Sequence, residues 1–394
     1  MRTSTRTLVT ALAVVAMLVG CKDRNASGVP VASGQSADLV LGEPDFTTGN
    51  MDSVRGTPTA NGMGHPSGVS TDGAHLWVSD ATNNRVMQWN AIPTANNANA
   101  DVFIGQVDAT KRVSGASATS FVGGISTCAS VTQLFVSDLV GNRVLIFPMP
   151  TTNLPVATVV LGQSSFTTTA AGKSASELNG PTDLWTDGTR LVVVDSGNSR
   201  VLIWNTIPTT NGQAADLVLG RSTFGLGASD TPADPPTSSS MKAPYGVWSN
   251  GTRVYVADSG NNRVLVWNAF PTTSGTSASI VLGQSAFDQN AANANQERTN
   301  PIGFNKPRKA IEANGALFTS DALNHRVVVH YPLPTVSGIP AVAVLGQDTL
   351  HDSTQPTRLV NDRFIAPGLI TADHREVFVP DYGFNRVLRF HVGR

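Results

Sequence analysis

The residues that could bind a metal ion or act as nucleophiles are few and scattered in this sequence. It contains no Gly-x-Ser-x-Gly, His-Glu-x-x-His or Gly-x-x-x-x-Gly-Lys-Ser/Thr motif. Its seven histidines share no common sequence context: His65, His75, His325, His330, His351, His374 and His391. A metal site needs three or more converging ligands, and only His65 and Asp183 are candidates by their place in the repeat described below. We therefore predict no catalytic residue, no metal and no other cofactor.

The N-terminus has the features of an export signal. Arg2 and Arg6 precede an apolar run, residues 8–19, which is too short to span a bilayer and fits a signal-peptide core. The run ends in Leu18-Val19-Gly20-Cys21, which resembles the lipobox of bacterial lipoproteins. This resemblance implies a signal peptide over 1–20, acylation of Cys21, a flexible lipidated tether over 21–36, and attachment to the cell envelope through several acyl chains. The residue after the cysteine, Lys22, favours sorting of such a lipoprotein to the outer membrane. An ordinary secretory signal with a chance cysteine is the alternative.

The composition of the chain limits the classes of protein and of binding partner that fit the sequence. The chain has 27 basic and 28 acidic residues, 14% charged residues and 40% apolar residues. These values exclude a disordered chain, which would be poorer in apolar residues and more highly charged. The absence of a basic stripe argues against nucleic acid as a partner. If Cys21 is acylated, Cys128 has no intrachain partner, and we interpret it as a small residue in a turn, without a nearby base to activate it.

A phrase with aspartate and arginine five residues apart recurs six times at intervals of 57 to 63 residues. The six pairs are Asp80–Arg85, Asp138–Arg143, Asp195–Arg200, Asp258–Arg263, Asp321–Arg326 and Asp381–Arg386. A second phrase also occurs six times, as Val-Leu-Gly in five copies and Phe-Ile-Gly in the other, and a third, Pro-x-Gly-Val or a variant, opens each unit. Regular repetition at this period indicates an array of supersecondary units.

Each unit is predicted to contain four short β-strands. Asp-Gly and Asn-Gly pairs such as Asp187-Gly188 predict a hairpin between the first and second strands, since these residues tolerate positive φ. Runs such as residues 191–194 and 200–204 are rich in β-branched and aromatic residues, and no segment has a sustained helical period. We therefore expect almost no helix.

Four antiparallel strands repeated six times predict an all-β, six-bladed β-propeller over residues 37–394. The chain opens with a fourth-strand phrase, residues 37–42, and closes with a third strand, residues 386–390. The first phrase is therefore expected to complete the last blade and close the ring, which removes exposed sheet edges.

The recurring pattern Pro-x-Gly-Val … Val-x-Asp-x-x-Asn-x-Arg-Val resembles that of NHL repeats, and Asn324-His325 is the copy nearest to the motif that names the family. The resemblance implies a propeller fold over essentially the whole mature chain. It does not imply one function, since similar propellers serve as enzymes, sensors and binding proteins.

Residues shared by all units are expected to be architectural. We predict that each aspartate caps the loop between strands two and three by accepting its backbone N–H groups, and that each arginine pairs with it or with a neighbouring blade. Six tryptophans are predicted to lie on strands and fill the space between blades: Trp77, Trp89, Trp185, Trp204, Trp248 and Trp267.

Function is expected where the copies differ. The long loops between fourth and first strands lead to the central channel and are suited to binding. At the predicted channel mouth the units carry unlike residues, which we take as candidate ligand-binding residues: His65, Asp183, Lys242, Tyr245, Lys306, Arg308 and Lys309. Four of the seven are cationic, which favours an anionic ligand. Solvated loop charges without a ligand are the alternative.

Two functions from different classes remain open at this point. The first is a non-catalytic, lipid-anchored module that binds or scaffolds a protein, peptide or glycan. The second is a metal-dependent hydrolase or lyase with a Ca²⁺ or Zn²⁺ site in the channel. It is suggested by propellers of similar fold that resemble gluconolactonases or the amidating lyase. Convergence of carboxylate or histidine side chains in the channel would distinguish them.

Overall fold

Six four-stranded antiparallel sheets form a closed ring in the computed structural model, which describes residues 28–49, 56–225, 235–373 and 375–393. Each sheet is one blade, and its first strand is the innermost. The predicted six-bladed propeller is confirmed. Among these residues the only helical segments are 3-10 turns of three or four residues, none of which has the length and hydropathy needed to cross a membrane.

The strands follow the order predicted from the repeat. Blade 1 comprises β2 (Pro66–Thr71), β3 (Leu76–Asp80), β4 (Arg85–Trp89) and β5 (Val102–Ile104); blade 2, β6 (Gly124–Ala129), β7 (Gln133–Asp138), β8 (Arg143–Pro148) and β9 (Val159–Leu161); blade 3, β10 (Pro181–Thr186), β11 (Leu191–Asp195), β12 (Arg200–Trp204) and β13 (Leu217–Leu219). Blade 4 comprises β14 (Gly246–Ser249), β15 (Val254–Asp258), β16 (Arg263–Trp267) and β17 (Ile280–Leu282); blade 5, β18 (Pro307–Ala313), β19 (Ala316–Asp321), β20 (Arg326–His330) and β21 (Ala343–Leu345). Blade 6 comprises β22 (Thr371–Asp373), β23 (Glu376–Asp381), β24 (Arg386–His391) and β1 (Leu39–Leu41).

The N-terminal strand closes the ring as predicted. β1 pairs antiparallel with β24, with Val40 opposite Leu388. The segment before β1 is also part of the propeller: Val31 is buried, and Ser33 and Gly34 bond to Val344 of β21. Residues 28–36, which the sequence assigned to a tether, therefore lie against blades 5 and 6. The rest of that segment, with Cys21 and the signal peptide, lies outside the described residues.

The outer edge of every blade is covered by a loop of a neighbouring blade. An Asn or Ser side chain accepts the backbone N–H of an outer-strand residue, and the next backbone N–H returns to the carbonyl of the same residue. The accepting side chains and their outer-strand donors are Asn96 and Val40, Asn153 and Phe103, Asn211 and Val160, Ser274 and Val218, Ser337 and Val281, and Ser33 and Val344. No blade thus leaves its outer strand unpaired, which protects the edges from strand addition.

The core lies between blades, where large side chains interdigitate. All six tryptophans lie on strands, as predicted, and Trp77, Trp204 and Trp267 are fully buried. Trp89, Phe147, Trp204, Trp267 and Phe390 occupy one recurring position of the third strand, and in blade 5 that position holds His330. His330 is buried and packs edge-on against Phe304, with ring centroids 6.3 Å apart.

Replacing His330 by phenylalanine is expected to make the protein less sensitive to acid. Burial lowers the pKa of His330 to about 4, whereas the pKa of an unfolded histidine is about 6.5. Between these values only the unfolded chain takes up the proton, so stability falls as the pH falls, by up to about 3 kcal/mol. Chemical unfolding at pH 7 and pH 4.5 measures this loss of stability for the wild type and for His330→Phe. If the free energy of unfolding falls equally in both proteins, His330 is not the group responsible.

Candidate site at the upper mouth of the channel

The upper face of the ring is defined here as the face on which the six innermost strands begin. Since the strands of a blade alternate in direction, the long loops and the turns between second and third strands lie on this same face. The candidate residues predicted from the sequence all lie on these loops or in the first residues of the innermost strands.

Each recurring aspartate is completely buried, and two of its partners on this face recur in all six blades. One carboxylate oxygen accepts the Nε–H of the arginine five residues later, at 2.6 to 2.9 Å in all six blades. The other accepts a backbone N–H from the long loop that enters the blade, at 2.6 to 2.8 Å: Gly64, Gly123, Asn179, Lys242, Asn305 or Ile365. The pairing is as predicted. The predicted backbone cap of the loop between strands two and three is present in blades 2 and 6, where the N–H groups of Gly141 and Phe384 donate to the aspartate. In blades 1, 3, 4 and 5 an asparagine side chain of that loop donates instead: Asn83, Asn198, Asn261 and Asn324.

The arginine completes a brace between two long loops. In blade 3 the guanidinium of Arg200 donates to the carbonyls of Lys173, Ser174 and Glu177 on the incoming loop and to that of Phe224 on the outgoing loop. The other five arginines bond to loop carbonyls in the same way. The long loops are therefore held at their bases by buried charges, and the part of the upper face that the structure describes is a preformed surface.

Five blades hold a residue with positive φ at the mouth, just before the proline that leads into the first strand. These residues have φ between 42° and 59°: His65, Gly180, Ala243, Lys306 and Ala366. Their N–H groups donate, at 2.7 to 3.2 Å, to side chains of the preceding blade: Asn385, Asn142, Ser199, Asn262 and His325, respectively. Non-glycine residues in this conformation cost about 1 to 2 kcal/mol, so the bonds from the neighbouring blade fix the mouth backbone. Because the His325 ring accepts this bond, it must be neutral at Nδ1, and burial lowers the pKa of His325 accordingly.

The centre of the ring is closed by an ion pair between two of the candidates. Lys309 of blade 5 reaches Asp183 of blade 3, with its Nζ 2.9 Å from Oδ2 and 3.2 Å from Oδ1, and both side chains are buried. The carboxylate also accepts the Ser126 hydroxyl of blade 2 at 2.5 Å and the Val247 N–H of blade 4 at 2.9 Å. Asp183 and Lys309 therefore bind each other below the mouth and join four blades.

Backbone packing narrows the same region further. The Val69 N–H donates to the Leu369 carbonyl at 3.1 Å, and the Leu369 N–H donates to the Ser67 carbonyl at 3.0 Å, which ties blade 1 directly to blade 6. A Cβ on Gly246 would lie 2.1 Å from the Arg308 carbonyl oxygen, so only glycine allows blades 4 and 5 to approach this closely. Ligand access is therefore to the mouth and not through the ring.

Four of the mouth side chains form a row across consecutive blades 4, 5, 6 and 1. The Arg308 guanidinium lies 5.1 Å from the ring centroid of Tyr245 and 5.7 Å from that of Tyr382. Tyr382 in turn stacks on His65, with centroids 4.7 Å apart and ring planes 22° from parallel. His65 Nδ1 is 3.0 Å from the Thr82 hydroxyl. We refer to Tyr245, Arg308, Tyr382 and His65 as the mouth row.

The cations at this mouth are not neutralised by the described part of the protein. Lys242 and Lys306 are exposed and Arg308 is half-buried, and within residues 28–49, 56–225, 235–373 and 375–393 none of the three forms an ion pair. Nor does the Arg308 guanidinium donate a hydrogen bond to any of those residues. Of the four cations predicted for the mouth, Lys309 is therefore neutralised by Asp183, whereas Lys242, Lys306 and Arg308 have no ion-pair partner among the described residues.

Cys128 lies on the innermost strand β6 and not in a turn as expected from the sequence. Burial raises the pKa of its thiol well above 9, and the nearby Asp183 carboxylate adds to this while Lys309 opposes it. The thiol is therefore protonated at neutral pH. Across the part of the chain that the structure describes, no three His, Cys, Asp or Glu side chains are grouped so that they could hold a metal ion.

Sequence reasoning missed Tyr382, the residue that joins Arg308 to His65. It lies in the turn after β23, where the equivalent positions hold Ala81, Leu139, Ser196, Ser259 and Ala322. An aromatic residue in place of small or aliphatic ones was the available signal. The turns between second and third strands thus contribute to the mouth together with the long loops and first strands.

No family model and no curated protein matches this sequence. Its structure is similar to that of a structural genomics protein of unknown function from Bacteroides thetaiotaomicron, at 12% identity and a TM-score of 0.52, covering 91% of this chain and 75% of that one. It also matches virginiamycin B lyase from Staphylococcus aureus at 10% identity and a TM-score of 0.41, covering 85% of this chain and 97% of that one. A third match is the PQQ-bound aldose sugar dehydrogenase from Streptomyces coelicolor, at 14% identity and a TM-score of 0.46, covering 85% of this chain and 96% of that one. At these identities the likeness shows the propeller fold alone.

Proposed function

We propose that the protein is a non-catalytic binding or scaffold module of the bacterial cell envelope, which takes an anionic protein, peptide or glycan partner at the upper mouth. The observation that carries this proposal is the mouth row, in which four consecutive blades each place one ring or cation side by side. Aromatic rings and arginine are the residue types that dominate binding surfaces, because they offer large contact areas and directional hydrogen bonds.

The rigidity of the mouth supports binding. The Asp–Arg braces hold the long loops at their bases, and the hydrogen bonds between blades fix the backbone of His65 and Lys306. A preformed surface loses little conformational entropy when a ligand binds. The Asp183 carboxylate, the natural candidate for a channel metal ligand, already bonds to Lys309, Ser126 and Val247, which favours binding over the metal-dependent hydrolase or lyase.

Attachment to the envelope is the second part of the proposal. It rests on the resemblance of Leu18-Val19-Gly20-Cys21 to a lipobox and on Lys22, which favours the outer membrane. The NHL-like repeat is consistent with such a role, since propellers present loops for recognition. A lipid anchor at Cys21 would leave the mouth row free to bind outside the membrane.

Replacing Cys21 by alanine tests the anchor. The wild-type chain, expressed in a Gram-negative host, should incorporate radiolabelled palmitate and sediment with membranes, and Cys21→Ala should do neither. Cys128→Ala, which changes the second cysteine, should behave as the wild type. Equal labelling of wild type and Cys21→Ala would overturn the anchor.

Binding is tested separately with the full chain in mild detergent. Acidic and neutral oligosaccharides and acidic peptides are titrated against the wild type and against Tyr382→Ala, whose side chain is 37% exposed and can be removed without opening the core. We expect at least one anionic probe to bind the wild type, and to bind Tyr382→Ala more weakly. Binding of no probe, or equal binding to both proteins, would contradict the proposed function.

A further inference from the structure

We infer that the ligand of the mouth row is a carboxylate-bearing sugar, with Arg308 as the residue that binds its carboxylate. This inference rests on the proposed function, since it names the class of ligand for the same site. It follows from the surroundings of Arg308, from the contacts of the tyrosine rings, and from the pairing of the strand edges.

Arg308 is presented to the mouth by an irregularity of its strand. The register of β18 with β19 shifts between Pro307 and Lys309, so Arg308 sits at a β-bulge. Bulges redirect side chains and are frequent beside functional sites. The residues that follow the equivalent prolines in blades 1, 3 and 6 are Ser67, Thr182 and Gly368, which are small. The same register shift occurs in blades 1, 2 and 3, so the bulge belongs to the repeat. Blades 2 and 4 hold Ile125 and Tyr245 at this position, and Arg308 is the one cation that the six units place there.

The guanidinium of Arg308 lies between two aromatic rings and keeps its donors available. Tyr245 and Tyr382 are both within cation–π distance of it. The brace arginines, in contrast, use their N–H groups on carbonyls of the loops. A planar guanidinium with free donors matches a planar carboxylate, which it can bind through two parallel hydrogen bonds.

The rings beside Arg308 suit a compact ligand with an apolar face and several hydroxyl groups. Tyr382 is the most exposed member of the row, and it lies between the guanidinium and the His65 ring. Tyrosine and histidine combine an apolar ring with a polar edge, and the Thr82 hydroxyl lies beside His65. A sugar ring could pack on Tyr382 while its hydroxyl groups bond to these polar edges and its carboxylate to Arg308.

An extended acidic peptide fits the same fold less well. Peptides bound as an added strand need an open sheet edge. All six outer strands are bonded to a neighbouring segment, and Leu369, just before β22 of blade 6, bonds to β2 of blade 1. The outer edges are thus occupied, whereas the rings and cations of the mouth are presented for a ligand that needs no backbone pairing.

The experiment compares trigalacturonate with the same trisaccharide after reduction of its carboxyl groups to alcohols, using the full chain in mild detergent and isothermal titration. We expect trigalacturonate to bind and the reduced sugar to bind about tenfold or more weakly, because hydrogen bonds to a charged group are lost. Arg308→Lys keeps the positive charge but lacks the planar guanidinium group, and its affinity for trigalacturonate should fall by a similar factor. Arg298→Lys, an exposed arginine of a long loop, should change nothing. A titration with monomeric galacturonate shows whether a free acidic sugar is enough for binding or whether a glycan chain is required.

The other outcomes separate this inference from the proposed function. Equal binding of trigalacturonate and its reduced form would overturn the role of the carboxylate and leave a mouth that binds sugars. Binding of an acidic peptide but of neither sugar, with loss in Arg308→Lys, would overturn the sugar and leave an anion-binding mouth. Binding of none of these probes would overturn both. Tyr382→Phe, which keeps the ring, should retain binding better than Tyr382→Ala and guards against a general loss of folding.

Discussion

Replacing Arg200 by methionine is expected to lower the free energy of unfolding by about 3 to 5 kcal/mol, the usual cost of removing one partner from a buried ion pair. Arg200 is completely buried and lies 2.6 Å from Asp195. Without it the Asp195 carboxylate loses its counter-ion, and the loop carbonyls of Ser174 and Glu177 lose their donor. The variant should also expose the long loop of blade 3 to proteases, since the brace holds that loop to the strands.

Arg298→Met is the matched control, because this arginine is exposed and makes no brace. Its free energy of unfolding should stay within about 0.5 kcal/mol of the wild type. Denaturant unfolding of the three proteins followed by tryptophan fluorescence makes the comparison. Equal stabilities of Arg200→Met and Arg298→Met would mean that the brace contributes nothing, and the account of a preformed upper face would be wrong.

Replacing Lys309 by methionine is expected to have a comparable effect, again about 3 kcal/mol or more, by leaving the buried Asp183 carboxylate without its counter-ion. The double variant Asp183→Asn, Lys309→Met removes both charges. Its asparagine can still accept the Val247 N–H and donate to Ser126, the two other groups bonded to Asp183. The double variant should therefore recover most of the stability lost in Lys309→Met.

A double-mutant cycle quantifies this coupling. We expect a coupling energy of roughly 2 kcal/mol between the two positions, within the range found for residues in one ionic network. Additive effects would show that Lys309 and Asp183 do not pair at the centre of the ring. A further consequence is that both residues would then be available at the mouth, where the sequence places them.

The architecture was predictable because it is periodic. Six copies of the Asp–Arg phrase indicated the blade count, and the fourth-strand phrase at residues 37–42 indicated the closure that β1 and β24 make. The repeat extends further back than predicted. Residues 30–40 match residues 208–218 at Pro, Gly, Gln, Ala, Asp, Leu and Val, so Ser33 and Gly34 stand where Asn211 and Gly212 stand in blade 3. Ser33 has the same role as Ser274 and Ser337 in the loops that cover blades 3 and 4.

The site was only partly predictable, for a geometric reason. Sequence order indicates which residues reach the upper face, because each lies near the start of a first strand. It does not indicate which of them meet across the ring. Lys309 and Asp183 are 126 residues apart and two blades apart, and their contact depends on the narrow centre that Gly246 permits. The contact of Tyr382 with His65 depends likewise on closure of the ring between blades 6 and 1.

Hydroxyl-radical footprinting of the full chain with and without trigalacturonate shows whether the mouth row is the binding site that we propose. The protein has four tyrosines, of which Tyr245 and Tyr382 belong to the row, Tyr331 is half-buried elsewhere and Tyr255 is buried. If the row binds the sugar, Tyr245 and Tyr382 should be oxidised more slowly at saturating trigalacturonate, and the oxidation rate of Tyr331 should not change. Unchanged oxidation of both row tyrosines, or protection of Tyr331 alone, would contradict binding at the mouth row.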